Sequence, residues 1–174
     1  ADSCAGMLAV PRQAIINVAL GALSDLPAML GRGAGLKLND VFWTSWLDDA
    51  AFFNSDNSKL NYYADAAAVL SIDSLTVLEQ KFMDQKDTDL KPLGISPQLL
   101  LVPTSLSAKA AALMRSTEIR DTTASTKYPT VNPHAGKFEV ATSAYLNNSA
   151  YTGYSATAWY LLANPADLAA IEVC

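Results

Sequence analysis

Residues 96–116 read SPQLLLVPTSLSAKAAALMRS, and this stretch decides the fold. Its first part, Gln98 to Val102, is a short apolar run that predicts a buried β-strand. The segment that follows predicts a helix, with four apolar residues on one face: Leu106, Ala110, Leu113 and Met114. Enzymes of the α/β type place glycines, a carboxylate or a nucleophile where a strand runs into a helix. This junction has Pro103, Thr104 and Ser105, so nothing reactive of that kind is found there.

The chain before this stretch predicts helices. From Pro11 to Asp49, apolar residues recur at helical spacing, and SDLP at Ser24–Pro27 predicts a stop and restart. Three glycines in the second helix (Gly31, Gly33 and Gly35) each cost roughly 1 kcal/mol against alanine, so we expect close packing or a break there. The segment SIDSLTVLEQKFMDQKD predicts an amphipathic helix with Ser71 or Asp73 as its cap and one apolar stripe: Leu75, Leu78 and Phe82.

The chain after residue 116 predicts mainly strands. Thr117 to Gly136 is rich in Thr, Ser, Pro and Asn, which predicts a long exposed loop. KFEVATSAYL, ATAWYLLANP and AIEVC then predict three strands. Helices first, then strands with one inserted helix, indicate an α+β fold.

Composition excludes some classes of protein. The 174 residues carry a net charge of -5 with scattered basic residues, which argues against a sequence-specific nucleic-acid reader. The hydrophobic fraction is 51%, yet no apolar run reaches the roughly 18–20 residues needed to span a bilayer. Apolar residues beyond the needs of one core often serve subunit contacts.

The two cysteines, Cys4 and Cys174, lie near opposite ends of the chain. The sequence allows a disulfide between them, although two thiols in a chain of this size are more typical of a cytosolic protein. The first residues, ADSCAGMLAV, lack the features of a secretion signal. The last, LAAIEVC, stop inside a predicted strand, so we expect a fragment of a longer polypeptide.

Nucleophilic catalysis finds little support. His134 is the only histidine, and its loop carries no nucleophile in a recognisable turn, so a Ser-His-Asp triad is not indicated. Ser107 and Lys109 are two residues apart on a predicted helix, so their side chains point away from each other.

Metal and phosphate sites are equally poorly supported. The acidic run Asp84, Asp87 and Asp89 lacks the glycine and glutamate of a calcium loop. Asp48 and Asp49 are adjacent, and adjacent side chains diverge on a helix, so a carboxylate pair that shares a proton is not indicated either. GRGAG at 31–35 has neither a preceding strand nor a lysine-serine ending, and NNS at 147–149 is a glycosylation sequon that matters only in a secreted protein. We therefore predict no catalytic, cofactor-binding or metal-binding residues.

Large aromatic side chains fall into two groups. The first is Phe42, Trp43, Trp46, Phe52, Phe53, Tyr62 and Tyr63; the second is Tyr145, Tyr151, Tyr154, Trp159 and Tyr160. Tyr and Trp dominate interface hot spots, and they also fill cores. Both interpretations stay open for each residue.

Four segments resemble the major capsid proteins of tailed phages and prophages. They are VPRQAIINVALGALSDLPAMLGRGAG, LSIDSLTVLEQKFMDQKD, LGISPQLLLVPTSLSAKAAALMRS and SAYLNNSAYTGYSATAWYLLANPADLAAIEVC. The chain is most similar to the Mu-like major head subunit, which is often encoded as a fusion of prohead protease and capsid protein. Relatives have an N-terminal arm, an extended loop and a closing strand that are not seen here, and an acidic pair where this chain has Val18 and Ala19.

The resemblance implies the Hong Kong 97-type capsid fold. Residues 1–95 would be the peripheral-domain part, with a spine helix near 72–86, and residues 96–174 the axial-domain part, which runs into a truncated strand. It also implies a non-enzymatic subunit of an icosahedral head, which assembles with copies of itself as pentamers and hexamers. A scaffold or prohead protease would be a further partner. No cofactor is expected. The expected location is the virion capsid, after a cytoplasmic stage in the bacterium.

Two other functions stay open. A shell protein of a non-viral compartment would share the fold, because fold alone does not separate a virion from such a compartment. A remnant of a prohead protease would be a hydrolase, and His134 would then be its only histidine.

Overall fold

A computed structural model describes residues 21–53, 61–64, 66–119, 130–164 and 166. The chain forms two compact units, Ala1–Trp46 and Leu47–Cys174. In the described residues the helices and strands are α1 (Gly21–Leu47), α2 (Ile72–Met83), β1 (Pro97–Pro103), α3 (Ser107–Arg115), β2 (Glu118–Ile119), β3 (Thr130–Val131), β4 (Glu139–Ser143) and β5 (Tyr160–Ala163). Helices together with a small mixed sheet agree with the predicted α+β class.

Helix α1 makes up the described part of the first unit, up to Trp46. The predicted interruption at Ser24–Pro27 is wrong, because α1 runs through Pro27. A proline inside a helix removes one hydrogen bond and can kink the helix without ending it. The three glycines do not break α1, and among the described residues no atom lies within 4 Å of a Cβ built on Gly31, Gly33 or Gly35.

A three-stranded sheet with the order β4-β1-β5 organises the second unit. The central strand β1 is parallel to β4, with Leu100 opposite Val140, and antiparallel to β5, with Leu100 opposite Leu161. A separate ribbon pairs β2 with β3. The parallel β1–β4 pair requires a long connection, and α3 and the β2–β3 ribbon lie within it.

Two helices cover one face of this sheet. Leu100 and Val102 point to the same face of β1 because they are two residues apart, and both are fully buried. They share a hydrophobic core with residues of α2, α3 and the flanking segments: Leu70, Leu75, Ala110, Met114, Phe138 and Trp159. Leu99 and Leu101 alternate to the other face, where Tyr160 pairs with Leu101 and lies against the ring of Phe53.

Helix α2 begins where its sequence predicts but ends a few residues before the predicted end. Ser71 is the N-cap: its hydroxyl accepts from the N–H of Ser74, while the Ser74 hydroxyl accepts from the N–H of Ser71. The helix ends at Met83 and not near residue 86, because the chain turns into a hairpin. Leu75 of the predicted stripe is fully buried, and Leu78 packs against the same core.

The strand and helix of the opening stretch are confirmed: β1 is one residue longer at each end than predicted, and α3 begins one residue after Leu106, which lies in a short 3-10 helix. The predicted exposed loop from Thr117 to Gly136 is wrong in part, because it contains β2, β3 and the buried side chains of Asn132 and His134. Two later predicted strands are shorter, at Glu139–Ser143 and Tyr160–Ala163. The predicted strand AIEVC, both cysteines and the helical pattern before residue 21 lie outside the described residues.

Candidate functional site

The strand-to-helix junction uses its hydroxyl groups for structure. The Ser105 hydroxyl donates to the backbone carbonyl of Ala156, which ties the start of α3 to the segment before β5. The Thr142 hydroxyl of β4 donates to the Ser107 hydroxyl, 3.3 Å away. Lys109, the other half of the Ser107 pair considered above, is exposed. The junction therefore joins neighbouring segments of the second unit.

His134 lies in a polar cluster between the 132–137 loop and α2. Its Nε2 lies 2.9 Å from the Thr76 hydroxyl, and its Nδ1 lies 3.6 Å from Oε2 of Glu79. The other oxygen of Glu79 pairs with the Lys137 ammonium. His134 and Glu79 are 2% and 8% exposed, so both polar side chains are removed from solvent. Burial lowers the pKa of His134; Glu79 opposes this shift, and Lys137 adds to it.

The cluster has the same order of groups as a hydrolytic triad, hydroxyl, imidazole and carboxylate. Its distances, however, fit a structural role better than a catalytic one. The 3.6 Å separation of Nδ1 from Glu79 exceeds hydrogen-bond distance. The Thr76 hydroxyl also bonds to the Ile72 carbonyl, one turn earlier, at 2.9 Å. Glu79 is held by Lys137 in addition. Each polar group thus ties the loop to α2.

The same loop closes the C-terminal end of α3. Asn132 is 4% exposed, and its amide nitrogen donates to the carbonyls of Leu113 (2.6 Å) and Ser116 (2.8 Å). Its side-chain oxygen accepts from the His134 N–H at 2.9 Å. The N–H of Gly136, at φ +67°, donates to the Met114 carbonyl at 2.8 Å. These bonds satisfy carbonyls that a helix end leaves without partners.

The acidic run forms the 85–93 hairpin, a turn directly after α2. Its backbone bonds are Leu93 N to Gln85 O (3.0 Å), Asp87 N to Lys91 O (2.9 Å) and Leu90 N to Asp87 O (3.1 Å). The Asp87 carboxylate accepts from the N–H groups of Asp89 and Lys91, so it shapes the turn. In the described part of the chain, no group of three or more His, Cys, Asp or Glu residues is placed to hold a metal ion.

Leu90 at the tip of this hairpin has an unusual backbone. Its φ of +63° lies in the left-handed region, and it is the residue after a turn of the kind that normally places Gly or Asn there. Leucine in that conformation costs roughly 1–2 kcal/mol. Nothing in the residue pattern of this segment marks Leu90 as left-handed.

The remaining sequence candidates are structural or solvent-facing. The Asp49 carboxylate accepts from the Phe52 N–H at 2.9 Å, just after α1, and Asp48 is exposed. GRGAG lies inside α1 and forms no phosphate-binding loop. Residues 147–149 of the sequon are exposed.

The aromatic residues divide between core and surface. All three tryptophans are buried, and the Trp159 indole N–H donates to the Ala68 carbonyl at 2.9 Å. Phe42 lies against Trp43 and Trp46 in the first unit, and Tyr145 lies against Tyr151 in the second. In contrast, Tyr154 and Phe52 are 49% and 41% exposed. The core interpretation holds for the tryptophans, and the surface interpretation stays open for the exposed rings.

Comparison with known proteins gives one result. The family described as phage capsid protein matches residues 1–174. Neither the curated proteins nor the solved structures contain a match. Among the described residues, no helix is both long and apolar enough to cross a bilayer. Because the match covers the whole sequence, the chain belongs to the phage capsid protein family.

Proposed function

We propose that the chain is the major structural subunit of a phage or prophage icosahedral head, which assembles with copies of itself into a shell around DNA. The carrying observation is the family match over residues 1–174, because capsid proteins are structural and their copies form oligomeric shells. A place in the virion capsid follows from the same family. The subunit would be made in the bacterial cytoplasm before assembly.

The finer architecture belongs to the same proposal. We propose the Hong Kong 97-type fold of the Mu-like group, with residues 1–95 as the peripheral part and 96–174 as the axial part. Helix α2 would then be the spine helix, although its 12 residues are fewer than the 72–86 range expected. Pentamers and hexamers of the chain would build the shell, helped by a scaffold or prohead protease.

A non-enzymatic role fits the polar groups described above. The hydroxyls of Ser105 and Thr76, the carboxylate of Asp87 and the imidazole of His134 all contact neighbouring parts of the second unit. These contacts support a subunit whose polar side chains stabilise its own fold. A net charge of -5 also agrees with a protein that does not read nucleic-acid sequence.

The test is negative-stain electron microscopy of the complete gene product after overexpression and gentle purification. We expect uniform shells or tubes, and nuclease-protected DNA in shells from infected or induced cells. Persistent monomers of the complete product, even with its neighbouring scaffold and protease genes coexpressed, would contradict the proposal.

A further inference from the structure

The 85–93 hairpin presents apolar side chains to solvent. Leu90 is 76% exposed at the tip, and Leu93 and Met83 near its base are each 45% exposed. A single exposed leucine on a protein surface is ordinary. Here the exposed leucine also occupies a left-handed backbone position, which asparagine or glycine would adopt more easily.

The hairpin holds this leucine in a fixed place. Backbone bonds close the turn, and the Asp87 carboxylate accepts from two further N–H groups inside it. Leu90 therefore adds strain to the isolated subunit and buries little of its side chain there. A side chain that contributes so little within its own subunit is suited to contact with a partner.

Charge favours a second copy of this chain as that partner. The hairpin carries two lysines, Lys86 and Lys91, and two aspartates, Asp87 and Asp89, so its formal charge is zero. The whole chain is at -5, and a neutral tip can approach another negative copy without adding like-charge repulsion. Family membership supplies the reason for copies to meet, since capsid subunits associate into shells.

We propose that Leu90 of one subunit inserts into an apolar surface of a neighbouring copy, so that the 85–93 hairpin is an inter-subunit contact. This inference rests on the proposed shell function and assigns it a particular residue. The contact is heterologous, because the tip of one subunit meets a different surface of the next.

The decisive variant is Leu90→Asn in the complete gene product. Asparagine tolerates the left-handed position, so the hairpin should fold at least as well, while the apolar contact is lost. We expect the midpoint of urea unfolding of the unassembled subunit to stay the same or rise. The subunit concentration needed for assembly should rise at least tenfold, as expected when one buried leucine side chain is removed.

Two matched variants complete the design. Leu90→Met keeps an apolar side chain at the tip and should assemble within about threefold of the unchanged protein. Thr88→Asn changes a polar residue of the same hairpin and should leave assembly unchanged. Sedimentation velocity across a concentration series measures all four proteins.

The outcomes separate the contact from the function. If the unchanged protein assembles and Leu90→Asn assembles equally well, the contact is wrong and the shell function stands. If the unchanged protein never assembles, the shell function fails and the contact fails with it. A benzophenone side chain at position 90 should also cross-link isotopically heavy to light subunits, and cross-links confined to single chains would overturn the contact.

Discussion

Replacing Asn132 by aspartate should destabilise the second unit through the exchange of a single heavy atom, nitrogen for oxygen. The side chain keeps its size, and an oxygen remains to accept from the His134 N–H. The amide nitrogen is lost, however, and with it both donors to Leu113 and Ser116. An oxygen would then face two carbonyl oxygens at positions now 2.6 and 2.8 Å away.

The magnitude follows from these contacts. Each lost hydrogen bond is worth about 1 kcal/mol net, and an acceptor left without a donor costs a further 1 kcal/mol or more. A carboxylate at the C-terminal end of α3 also meets the negative end of the helix dipole. We expect Asn132→Asp to lower the free energy of unfolding by about 3 kcal/mol at pH 7.5, a large share of the 5–15 kcal/mol typical of a domain.

Protonation should recover part of this loss, because a carboxylic acid has one O–H donor to offer a carbonyl. Urea unfolding, monitored by tryptophan fluorescence, measures the free energy of unfolding at pH 7.5 and at pH 4.5. Asn148→Asp is the matched control: Asn148 is exposed, and its oxygen accepts from the Ala150 N–H, which a carboxylate does equally well. Both variants change the net charge by the same amount, so their difference isolates the site.

Two results would refute this reasoning. One is a loss below about 1 kcal/mol for Asn132→Asp at pH 7.5, which would mean that the two donor bonds contribute little. The other is a difference between the two variants that does not shrink at pH 4.5. The control itself should stay within about 0.5 kcal/mol of the unchanged protein.

Three further predictions concern the same unit. Burial lowers the pKa of His134 below its usual 6.5, so its contribution to stability should be complete above that pH and decline as the pH falls below it. His134→Gln should therefore weaken the dependence of the urea-unfolding midpoint on pH between pH 7 and pH 5. An unchanged pH dependence would contradict this. Gly153→Ala should lower the free energy of unfolding by about 3 kcal/mol or more in the same assay, because φ is +81° and the new Cβ would lie 2.1 Å from the Leu47 carbonyl oxygen. Gly94→Ala, at φ +68° with no atom within 4 Å of the new Cβ, should lower it by only about 1 kcal/mol. Equal losses for the two variants would count against the steric explanation. Trp159→Phe should lower the free energy of unfolding, measured by thermal unfolding, by about 1–2 kcal/mol, because the hydrogen bond from the indole N–H is lost and the Ala68 carbonyl is left without its donor. An unchanged free energy of unfolding would show that this hydrogen bond is dispensable.

Local sequence signals predicted the elements whose structure depends on local interactions. Ser71 caps α2 through a bond that spans only three residues, and the apolar run of β1 leads directly into the apolar face of α3. The α+β class follows from the order of such segments. Family resemblance, carried by long stretches of sequence, indicated the capsid family that the match then showed.

Tertiary context decided the rest. The burial of Asn132 and His134 depends on α2 and α3, which are distant in sequence, so a polar loop composition predicted exposure instead. The left-handed Leu90 breaks the usual residue preference of its turn, and no pattern reveals such an exception. The segment Ser24–Pro27 predicted a stop and restart because local propensity cannot tell a proline tolerated inside a helix from one in a first turn.

The β2–β3 ribbon has a consequence for sequence variation and engineering. The chain leaves the ribbon at Ile119 and re-enters it at Thr130, and these two residues are direct partners in the antiparallel pair. Asn132, immediately after the ribbon, is fixed to the end of α3, so the re-entry point is held independently of what joins the two strands. Lengthening a connection between fixed ends adds little entropic cost, about 0.6 kcal/mol for each doubling of its length. The pairing of Ile119 with Thr130 should therefore survive a change in the number of residues between them.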